Sequence, residues 1–178
     1  MNYKKTKLGA YLIDIDCHED HRGFFLEFYH KKKYSFLENT NFVQDNISFS
    51  QRGTLRGLHF QKPQAQSKLI QVLDGEIFDV IVDLRKDSKT FLQWESFKLS
   101  SDRKQQLFIP EDFAHGFQVV SEKALFIYKC GNYYNKEREQ SLSWNDKTLN
   151  IPWPIDFAQL STKDQQAINL KDFKEKFV

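Results

Sequence analysis

The sequence predicts a mainly β fold in which short strands form a sandwich or a barrel. Short runs rich in Val, Ile, Phe and Tyr recur between Leu8 and about Trp153, and turn-forming residues separate them. Aromatic residues make up 15% of the chain, and Gly and Pro are few, with 7 and 4 residues. This composition excludes a disordered or low-complexity protein.

Eight segments have the composition of strands, and turn signals separate several of them. Asp74-Gly75 lies between two apolar runs and predicts a hairpin, because Gly readily adopts the positive φ of a primed turn. Residues 85–88 and 100–103 predict further turns. The predicted strands are residues 9–15, 23–29, 55–61, 68–73, 76–84, 106–109, 116–120 and 124–132.

Helix is predicted in only two segments, residues 30–38 and 163–173, and the polar segment 16–21 is predicted to be a loop. The chain has 178 residues, of which 40% are hydrophobic, so it can bury one sizeable core. We therefore expect one domain over residues 1–178, with a partly helical C-terminal tail at about 163–178.

Charge and composition exclude several classes of function. The 26 basic and 24 acidic residues are interspersed and give a net charge of +2, without the basic stripe of a nucleic-acid-binding protein. No segment has the length of a membrane span or the apolar core of a signal peptide, so we expect a cytoplasmic protein that binds neither membranes nor nucleic acid. Cys17 and Cys130 are far apart and are interpreted as small apolar residues in strands.

The segment that carries the most chemical information extends from Arg56 to Lys68. His59 lies in a strand-like run with Arg56 and Gln61 close by, and Lys68 begins the next apolar run. Burial and neighbouring charges tune the pKa values of such groups, which favours a site for acid-base chemistry on an anionic ligand. Because side chains alternate along a strand, Arg56 and His59 can serve one cavity only if the strand is irregular, and Gly57 is the expected position of a bulge.

Other polar and aromatic residues leave alternatives open. A metal site on a barrel commonly uses two histidines two positions apart, but the residue two after His59 is Gln61, so we expect no metal. His115 lies between small residues at the start of a strand and either contacts a ligand or caps a turn. Tyr128 shares a strand face with Ala124, Phe126 and Cys130 and is therefore predicted to point inward.

Several strings of the sequence, in the same order, resemble the dTDP-4-dehydrorhamnose 3,5-epimerase family over about residues 8–165. Several long matches in order are far more specific than one short motif. The strings are residues 20–27 (DHRGFFLE), 44–48 (QDNIS), 53–61 (GTLRGLHFQ), 66–69 (QSKL), 110–117 (PEDFAHGF), 144–146 (WND) and 160–164 (LSTKD).

The resemblance implies a cupin-like antiparallel β-barrel, or jelly roll, with a few short helices and without metal or other cofactor. It implies a homodimer in which an N-terminal strand region packs against the partner. The implied activity is isomerisation of a nucleotide-linked 4-keto-6-deoxy sugar, for which dTDP is the expected nucleotide, in the synthesis of dTDP-L-rhamnose or a related deoxysugar for polysaccharide.

The resemblance also implies roles for individual residues. His59 matches the general base, held by Asp164, and Tyr128 matches the acid on the opposite face of the sugar ring. Lys68 matches the lysine near the C4 oxygen of the sugar. The positions that match contacts to nucleotide, diphosphate or sugar are Arg22, Phe25, Glu27, Gln44, Asp45, Asn46, Arg56, His115, Glu139 and Lys163.

The sequence leaves five functions open. The leading hypothesis is epimerisation at both C3 and C5, and the nearest alternatives are a C3-only epimerase and an epimerase for another nucleotide-linked 4-keto sugar. The same base, acid and lysine would serve all three. A non-catalytic barrel that binds sugar nucleotides and a metal-dependent cupin oxygenase are the alternatives from other classes.

Overall fold

The computed structural model describes residues 1–37 and 40–178 and is mainly β, as the sequence predicts. The described residues form eleven strands, one turn of 3-10 helix at Ser35–Leu37 and two short α-helices. The strands are β1 (Asn2–Lys5), β2 (Tyr11–Asp14), β3 (Cys17–Asp20), β4 (Gly23–Leu26), β5 (Gln44–Gln51), β6 (Leu55–Gln61), β7 (Lys68–Asp83), β8 (Trp94–Ser100), β9 (Gln105–Ile109), β10 (Phe113–Cys130) and β11 (Glu139–Ser141), and the helices are α1 (Thr162–Gln165) and α2 (Leu170–Phe177).

Nine of these strands form one sheet in which every pairing is antiparallel. The order is β1-β2-β9-β7-β10-β6-β11, with β5 paired to β10 and β8 paired to β7. The strands β3 and β4 form a separate antiparallel hairpin. The sheet therefore places β6 directly beside β10, and both strands carry residues that the sequence assigns to the site.

The hairpin prediction at Asp74-Gly75 is wrong, because the chain continues through these residues as one strand. The 16-residue β7 pairs along its length with the 18-residue β10, so each replaces two of the predicted strands. Gly75 has φ +81°, and a Cβ there would lie 2.0 Å from the main-chain oxygen of Lys123. The positive φ of Gly75 therefore serves a bulge in a continuous ladder rather than a turn.

Two further local predictions differ from the structure. The loop prediction for the segment 16–21 is wrong, because Cys17–Asp20 pairs with Gly23–Leu26 as a hairpin. Gly23 has φ +131° and follows the two-residue turn, which explains how a polar segment closes into a hairpin. Of the predicted helix over 30–38, the structure forms only the turn at Ser35–Leu37, and Glu38 lies outside the described residues.

The predicted C-terminal helix is present as two short helices rather than one. Ser161 caps α1, since its hydroxyl accepts the N–H of Asp164. Asn169 caps α2, since its side chain accepts the N–H of Asp172 at 2.9 Å. The first helix ends at Gln165, and Asn169, with the extended backbone of an N-cap, starts the second.

The buried apolar side chains form three clusters around the sheet. One cluster contains Ile70, Val72, Phe117 and Phe126 and has Tyr128 packed against it. Ala124, Phe126 and Cys130 are buried on the face of β10 that also carries Tyr128, which confirms the predicted inward face. A second cluster joins α2 to the sheet, where Phe173 and Phe177 contact Phe60 edge to face. A third lies under the N-terminal strands.

Cys17 lies in β3 and Cys130 in β10, and both thiols are free, in agreement with their interpretation as strand residues. Within residues 1–37 and 40–178, no helix combines the length and the apolar character needed to cross a membrane.

Candidate active site

An irregularity in β6 turns Arg56 and His59 toward the same cavity. The pairing with β10 shifts register between His115, which faces His59, and Phe117, which faces Arg56. Gly57, between them, has φ +134°, and a Cβ on it would lie 2.4 Å from Cα of Gly116. The bulge predicted at Gly57 is therefore confirmed, and only glycine fits both the φ and the close approach of the two backbones.

His59 is held by a buried carboxylate from the far end of the chain. Its Nε2 lies 2.5 Å from Oδ1 of Asp164, whose side chain is only 3% exposed. The second oxygen of Asp164 accepts a hydrogen bond from the Ser161 hydroxyl at 2.8 Å. A carboxylate at Nε2 accepts its N–H and thereby selects the tautomer in which Nδ1 carries the lone pair. The free nitrogen of His59 is therefore Nδ1.

The environment keeps Asp164 ionised. Burial raises the pKa of this carboxyl, but the hydrogen bond and charge of His59 and the hydrogen bond from Ser161 outweigh burial and lower the pKa below its usual range. Because Ser161 is also the cap of α1, the start of this helix orients the carboxylate toward His59.

A second carboxylate, Glu139 in β11, lies on the Nδ1 side of His59. Its Oε1 is 3.9 Å from Nδ1, while its other oxygen accepts a hydrogen bond from the Tyr134 hydroxyl at 2.7 Å and pairs with the Lys163 ammonium. Burial raises the pKa of Glu139, and the Lys163 and Tyr134 hydrogen bonds more than offset it, so the pKa is lowered. The cavity beside His59 therefore contains an ionised carboxylate.

Tyr128 in β10 presents a phenol that stays protonated at neutral pH. Burial, with smaller contributions from Cys130 and Glu139, raises the pKa of Tyr128 to about 12, against an opposing contribution from Arg56. Tyr128 lines the same cavities as His59. The two side chains thus place a free imidazole nitrogen and a protonated phenol around one space.

Lys68, at the start of β7, brings a positive charge to this space. Burial lowers the pKa of Lys68. The neighbouring Cys130, Asp79 and Glu139 oppose this change, and the positive charge of Lys163 adds to it. Within the described part of the chain, the ammonium forms no hydrogen bond or ion pair with another side chain, so it is free to meet a ligand oxygen.

Two adjoining cavities, of about 300 Å³ and 440 Å³, share His59, Lys68 and Tyr128 in their walls. Together they have the size of a ligand site with a few polar groups in a partly apolar wall. Of the other residues assigned from the sequence, Gln44, Asn46 and Glu139 line the first cavity and Arg56 and His115 line the second.

The strand β5 divides the segment 44–46 between two faces. Gln44 donates to Asn46 at 3.0 Å, and Asn46 donates to the Cys130 sulfur at 3.5 Å, at the cavity wall. Asp45 alternates to the other face, where its carboxylate accepts from Lys129 at 2.7 Å. The structure therefore does not bring the Asp45 side chain to the cavity, and its role in binding stays a prediction.

Three predicted site residues lie in the β3–β4 hairpin or directly after it, and their side chains do not line the cavities of His59 described above. Arg22 pairs with Asp20 at 2.5 Å, and Glu27 pairs with Lys33 at 2.8 Å. The ring of Phe25 is 70% exposed. These side chains line surface cavities that include neither His59 nor Lys68.

Sequence reasoning missed two residues at the site. Asp79 in β7 is fully buried and lies 2.8 Å from Nε2 of His115, and its signal was a carboxylate in the middle of an apolar run. Tyr134, which follows β10, lines the cavity and donates a hydrogen bond to Glu139.

Residues 5–172 match the family described as dTDP-4-dehydrorhamnose 3,5-epimerase. The chain belongs to this family. A curated dTDP-4-dehydrorhamnose 3,5-epimerase from Shigella flexneri is 47% identical over 168 residues, which cover 92% of this chain and 93% of the relative. The resemblance found in the sequence motifs is thus confirmed over nearly the whole chain, and the family is one of isomerases.

Solved structures confirm the expected fold. The dTDP-6-deoxy-D-glucose-3,5-epimerase of Legionella pneumophila, crystallised with dTDP-4-keto-L-rhamnose, superposes with a TM-score of 0.92 at 46% identity, covering 96% of this chain and 93% of that one. A 3′-monoepimerase from Streptomyces bikiniensis, in complex with dTDP-quinovose, superposes with a TM-score of 0.88 at 29% identity, covering 93% and 86%. The cupin-like antiparallel barrel predicted for this chain is therefore confirmed.

Proposed function

We propose that this chain is a dTDP-4-dehydrorhamnose 3,5-epimerase that converts dTDP-4-dehydro-6-deoxy-D-glucose into dTDP-4-dehydro-L-rhamnose. The observation that carries the proposal is the His59–Asp164 pair, at 2.5 Å, facing cavities that also contain Tyr128 and Lys68. Family membership and the high identity to curated 3,5-epimerases support the same function.

His59 is the proposed general base. Hydrogens on C3 and C5 are acidic because both carbons are next to the C4 ketone, and the carbanion delocalises onto oxygen as an enolate. Nδ1 of His59, which faces the cavity, takes the proton, and Asp164 keeps the Nε2 proton and stabilises the resulting imidazolium. The lowered pKa of Asp164 supports this role, since the carboxylate stays charged throughout.

Lys68 is proposed to stabilise the enolate. Negative charge develops on the C4 oxygen as the proton leaves, and an ammonium in a partly buried cavity interacts with that charge more strongly than one in water. Because burial lowers the pKa of Lys68, the ammonium also gives up a proton to an enolate more readily than an exposed lysine.

Tyr128 is proposed to return a proton on the face of the ring opposite to His59. Inversion requires the new proton to arrive from the side that the base does not occupy. A phenol with a pKa of about 12 is protonated at neutral pH and can therefore donate to a carbanion. His59 and Tyr128 belong to different strands, β6 and β10, which supports placement on two sides of a bound ring.

The remaining residues are proposed to bind the nucleotide, the diphosphate and the sugar. Arg56 lines the second cavity and suits a diphosphate, because a guanidinium pairs with phosphate oxygens in two parallel hydrogen bonds. Binding energy from this remote part of the substrate orients the ketosugar against His59. Gln44, Asn46, His115, Glu139 and Lys163 also belong to the proposed set, and Asp45 and Glu27 are kept in it as predictions.

We propose that the functional form is a homodimer in which the β3–β4 hairpin enters the site of the partner. Arg22 and Phe25 are exposed on this hairpin, and the surface cavity that both of them line contains neither His59 nor Lys68. The family resemblance implies a dimer formed through the N-terminal strands, and such a contact would bring an exposed aromatic ring and a guanidinium to a nucleotide. The chain is further proposed to act as one cytoplasmic domain without a metal.

The deciding experiment is incubation of the protein with dTDP-4-keto-6-deoxyglucose in heavy water, followed by NMR of the product. We expect deuterium at both C3 and C5 and formation of the L-rhamno configuration, and we expect activity to survive a chelator. Deuterium at C3 alone would instead identify a C3-only epimerase, the second candidate, which the likeness to the Streptomyces 3′-monoepimerase supports. If deuterium enters neither C3 nor C5, the epimerase function is refuted.

A further inference from the structure

A second buried histidine–carboxylate pair lies beside the proposed base. Oδ2 of Asp79 in β7 is 2.8 Å from Nε2 of His115 in β10, and the two side chains are 0% and 9% exposed. Within residues 1–37 and 40–178, the other oxygen of Asp79 is buried and has no hydrogen-bond partner. A buried carboxylate with an unsatisfied oxygen is costly, so its presence at this position calls for a role beyond packing.

The pairing fixes the hydrogen-bonding character of His115. A carboxylate only accepts hydrogen bonds, so Nε2 of His115 carries the proton that it donates to Asp79. Burial lowers the pKa of His115 more than the charge and hydrogen bond of Asp79 raise it, and the nearby ammonium of Lys68 lowers it further, so the ring is neutral at neutral pH. In a neutral imidazole with Nε2 protonated, Nδ1 is an acceptor and cannot donate.

This acceptor distinguishes His115 from its neighbours in the cavity of about 440 Å³. Arg56 and Lys68, in the same wall, are donors that suit the acceptor oxygens of a phosphate or a ketone. An Nδ1 with a lone pair repels such oxygens and binds a group that donates. The hydroxyl groups of a hexose ring are the donors that a sugar nucleotide offers.

We propose that Asp79 is a positioning residue that holds His115 as a neutral acceptor, and that His115 Nδ1 accepts a hydrogen bond from a ring hydroxyl of the sugar. The inference rests on the proposed function and narrows it, because it assigns His115 to the sugar and not to the diphosphate or the nucleoside. Asp79 acts through His115 and need not touch the substrate.

The first test uses the unmodified protein labelled with ¹⁵N in its five histidines, with the His115 signals assigned from the variant His115→Gln. We expect His115 to be neutral with the proton on Nε2, and we expect its Nδ1 signal to move when dTDP-glucose binds but not when dTDP binds. A protonated Nδ1, or an equal shift with dTDP alone, would overturn the proposal.

The second test is Asp79→Asn, whose amide can turn its NH₂ group toward Nε2 and so move the ring proton to Nδ1. We expect the affinity for dTDP-glucose to fall about tenfold, the loss typical of one hydrogen bond to a ligand, while the affinity for dTDP is unchanged. The control is Asp74→Asn on the same strand, where the side chain is 53% exposed, and neither affinity should change. Equal losses for both ligands, or no loss for dTDP-glucose, would contradict the proposal.

These measurements separate the inference from the proposed function. Neither dTDP nor dTDP-glucose contains the ketone that epimerisation requires, so binding and the histidine tautomer are measured whether or not the chain is an epimerase. If no deuterium enters the ketosugar, the epimerase function is refuted and the inference about His115 is unaffected. If His115 responds equally to dTDP and dTDP-glucose, the inference is refuted and the epimerase function is unaffected. If Asp79→Asn does not fold, the experiment on the unmodified protein still decides the question.

Discussion

His59 owes its proposed chemistry to the different surroundings of its two ring nitrogens. Nε2 is 2.5 Å from the buried Asp164, whereas Nδ1 faces the cavity and lies 3.9 Å from Glu139. The first contact fixes the tautomer, and the second places an acceptor near the position where the imidazolium proton forms. Histidine in an ordinary strand position would have neither feature.

Replacement of His59 by Asn removes the proposed base and keeps a polar side chain of similar shape. We expect kcat to fall by about 10³-fold or more, because general-base catalysis and the imidazolium–carboxylate pair are both lost. The affinity for dTDP and the thermal unfolding midpoint should stay close to those of the unmodified protein. His30→Asn, in the turn before the 3-10 helix, is the control, and wild-type rates from His59→Asn would remove His59 from the mechanism.

Replacement of Tyr128 by Phe removes the proposed acid while leaving the ring in place against Phe126. We expect His59 still to abstract a proton, so NMR in heavy water should detect deuterium exchange that exceeds the formation of inverted product. The unmodified enzyme should couple the two processes closely. A variant with unchanged product formation would show that another group returns the proton.

At the scale of elements, the bulge in β6 decides which side chains share a cavity. The register shift opposite Gly57 lets Arg56 and His59 line one space, which a regular strand would forbid. The close approach of Gly57 to Gly116 leaves no room for a Cβ.

Gly57→Ala tests this bulge, and Gly23→Ala is a matched control. Both glycines have nearly the same φ, +134° and +131°. A Cβ on Gly57 would meet backbone at 2.4 Å, whereas one on Gly23 would meet no atom of residues 1–37 and 40–178 within 4 Å. We expect Gly57→Ala to reduce the free energy of unfolding by about 2 kcal/mol more than Gly23→Ala, because backbone must move. Urea unfolding measures the difference, and equal losses would show that φ alone matters.

The end of β7 is stabilised by a buried carboxylate network around Asp83. Its oxygens accept hydrogen bonds from Arg85 Nε at 2.8 Å and from the hydroxyls of Ser88 and Thr90 at 2.7 Å each. Burial raises the pKa of Asp83, but these hydrogen bonds outweigh it and lower the pKa below its usual 3.8. A lowered folded-state pKa contributes stability that is present above 3.8 and is lost as the pH falls through the folded-state value.

We predict that Asp83→Asn reduces the free energy of unfolding by about 2 to 4 kcal/mol at neutral pH, since it leaves the Arg85 guanidinium without its buried partner. The difference between variant and unmodified protein should shrink as the pH falls below about 4, where the carboxyl of the unfolded chain becomes protonated, and should vanish as the pH falls through the lowered pKa of the native carboxylate. Denaturant titrations at several pH values measure this difference in the free energy of unfolding. Glu175→Gln, in an exposed pair with Lys171, should change stability by less than about 0.5 kcal/mol at any of these pH values.

At the scale of the whole molecule, the exposed β3–β4 hairpin separates two groups of proposed site residues. The catalytic group lies in the barrel, and the hairpin carries Arg22 and Phe25 outside it. In a dimer with two-fold symmetry, each hairpin would reach the partner's barrel in the same way, and each site would contain residues of both copies.

Subunit mixing tests this arrangement. We expect His59→Asn and Phe25→Ala to be poorly active alone, and their equal mixture, after exchange of subunits, to regain activity at about a quarter of the sites. In half of the dimers, one site would combine an intact base with an intact hairpin. A mixture no more active than the average of its parents would show that the hairpin serves its own chain. Light scattering of the unmodified protein gives the oligomeric state independently.

Much of the fold follows from local sequence. Alternating apolar residues predict the strands, and the strand phase predicts that Tyr128 points inward with Phe126, because a side chain's face depends only on its parity along the strand. Gly57 was predicted to be a bulge because only a residue without a Cβ adopts that conformation cheaply. Ordered motifs identified the family and indicated the residues of the site.

Tertiary structure decided what depends on partners far along the chain. Gly75 has the positive φ of a hairpin turn, yet it forms a bulge because β10 offers a continuous ladder to pair with. Asp79 is a lone carboxylate in an apolar run until β10 places His115 beside it. His59 and Asp164 are 105 residues apart, and packing alone brings them within 2.5 Å. Local preferences determine the backbone φ of a residue and the strand face on which its side chain lies. Contacts between distant residues arise only when the strands pair and the core is buried.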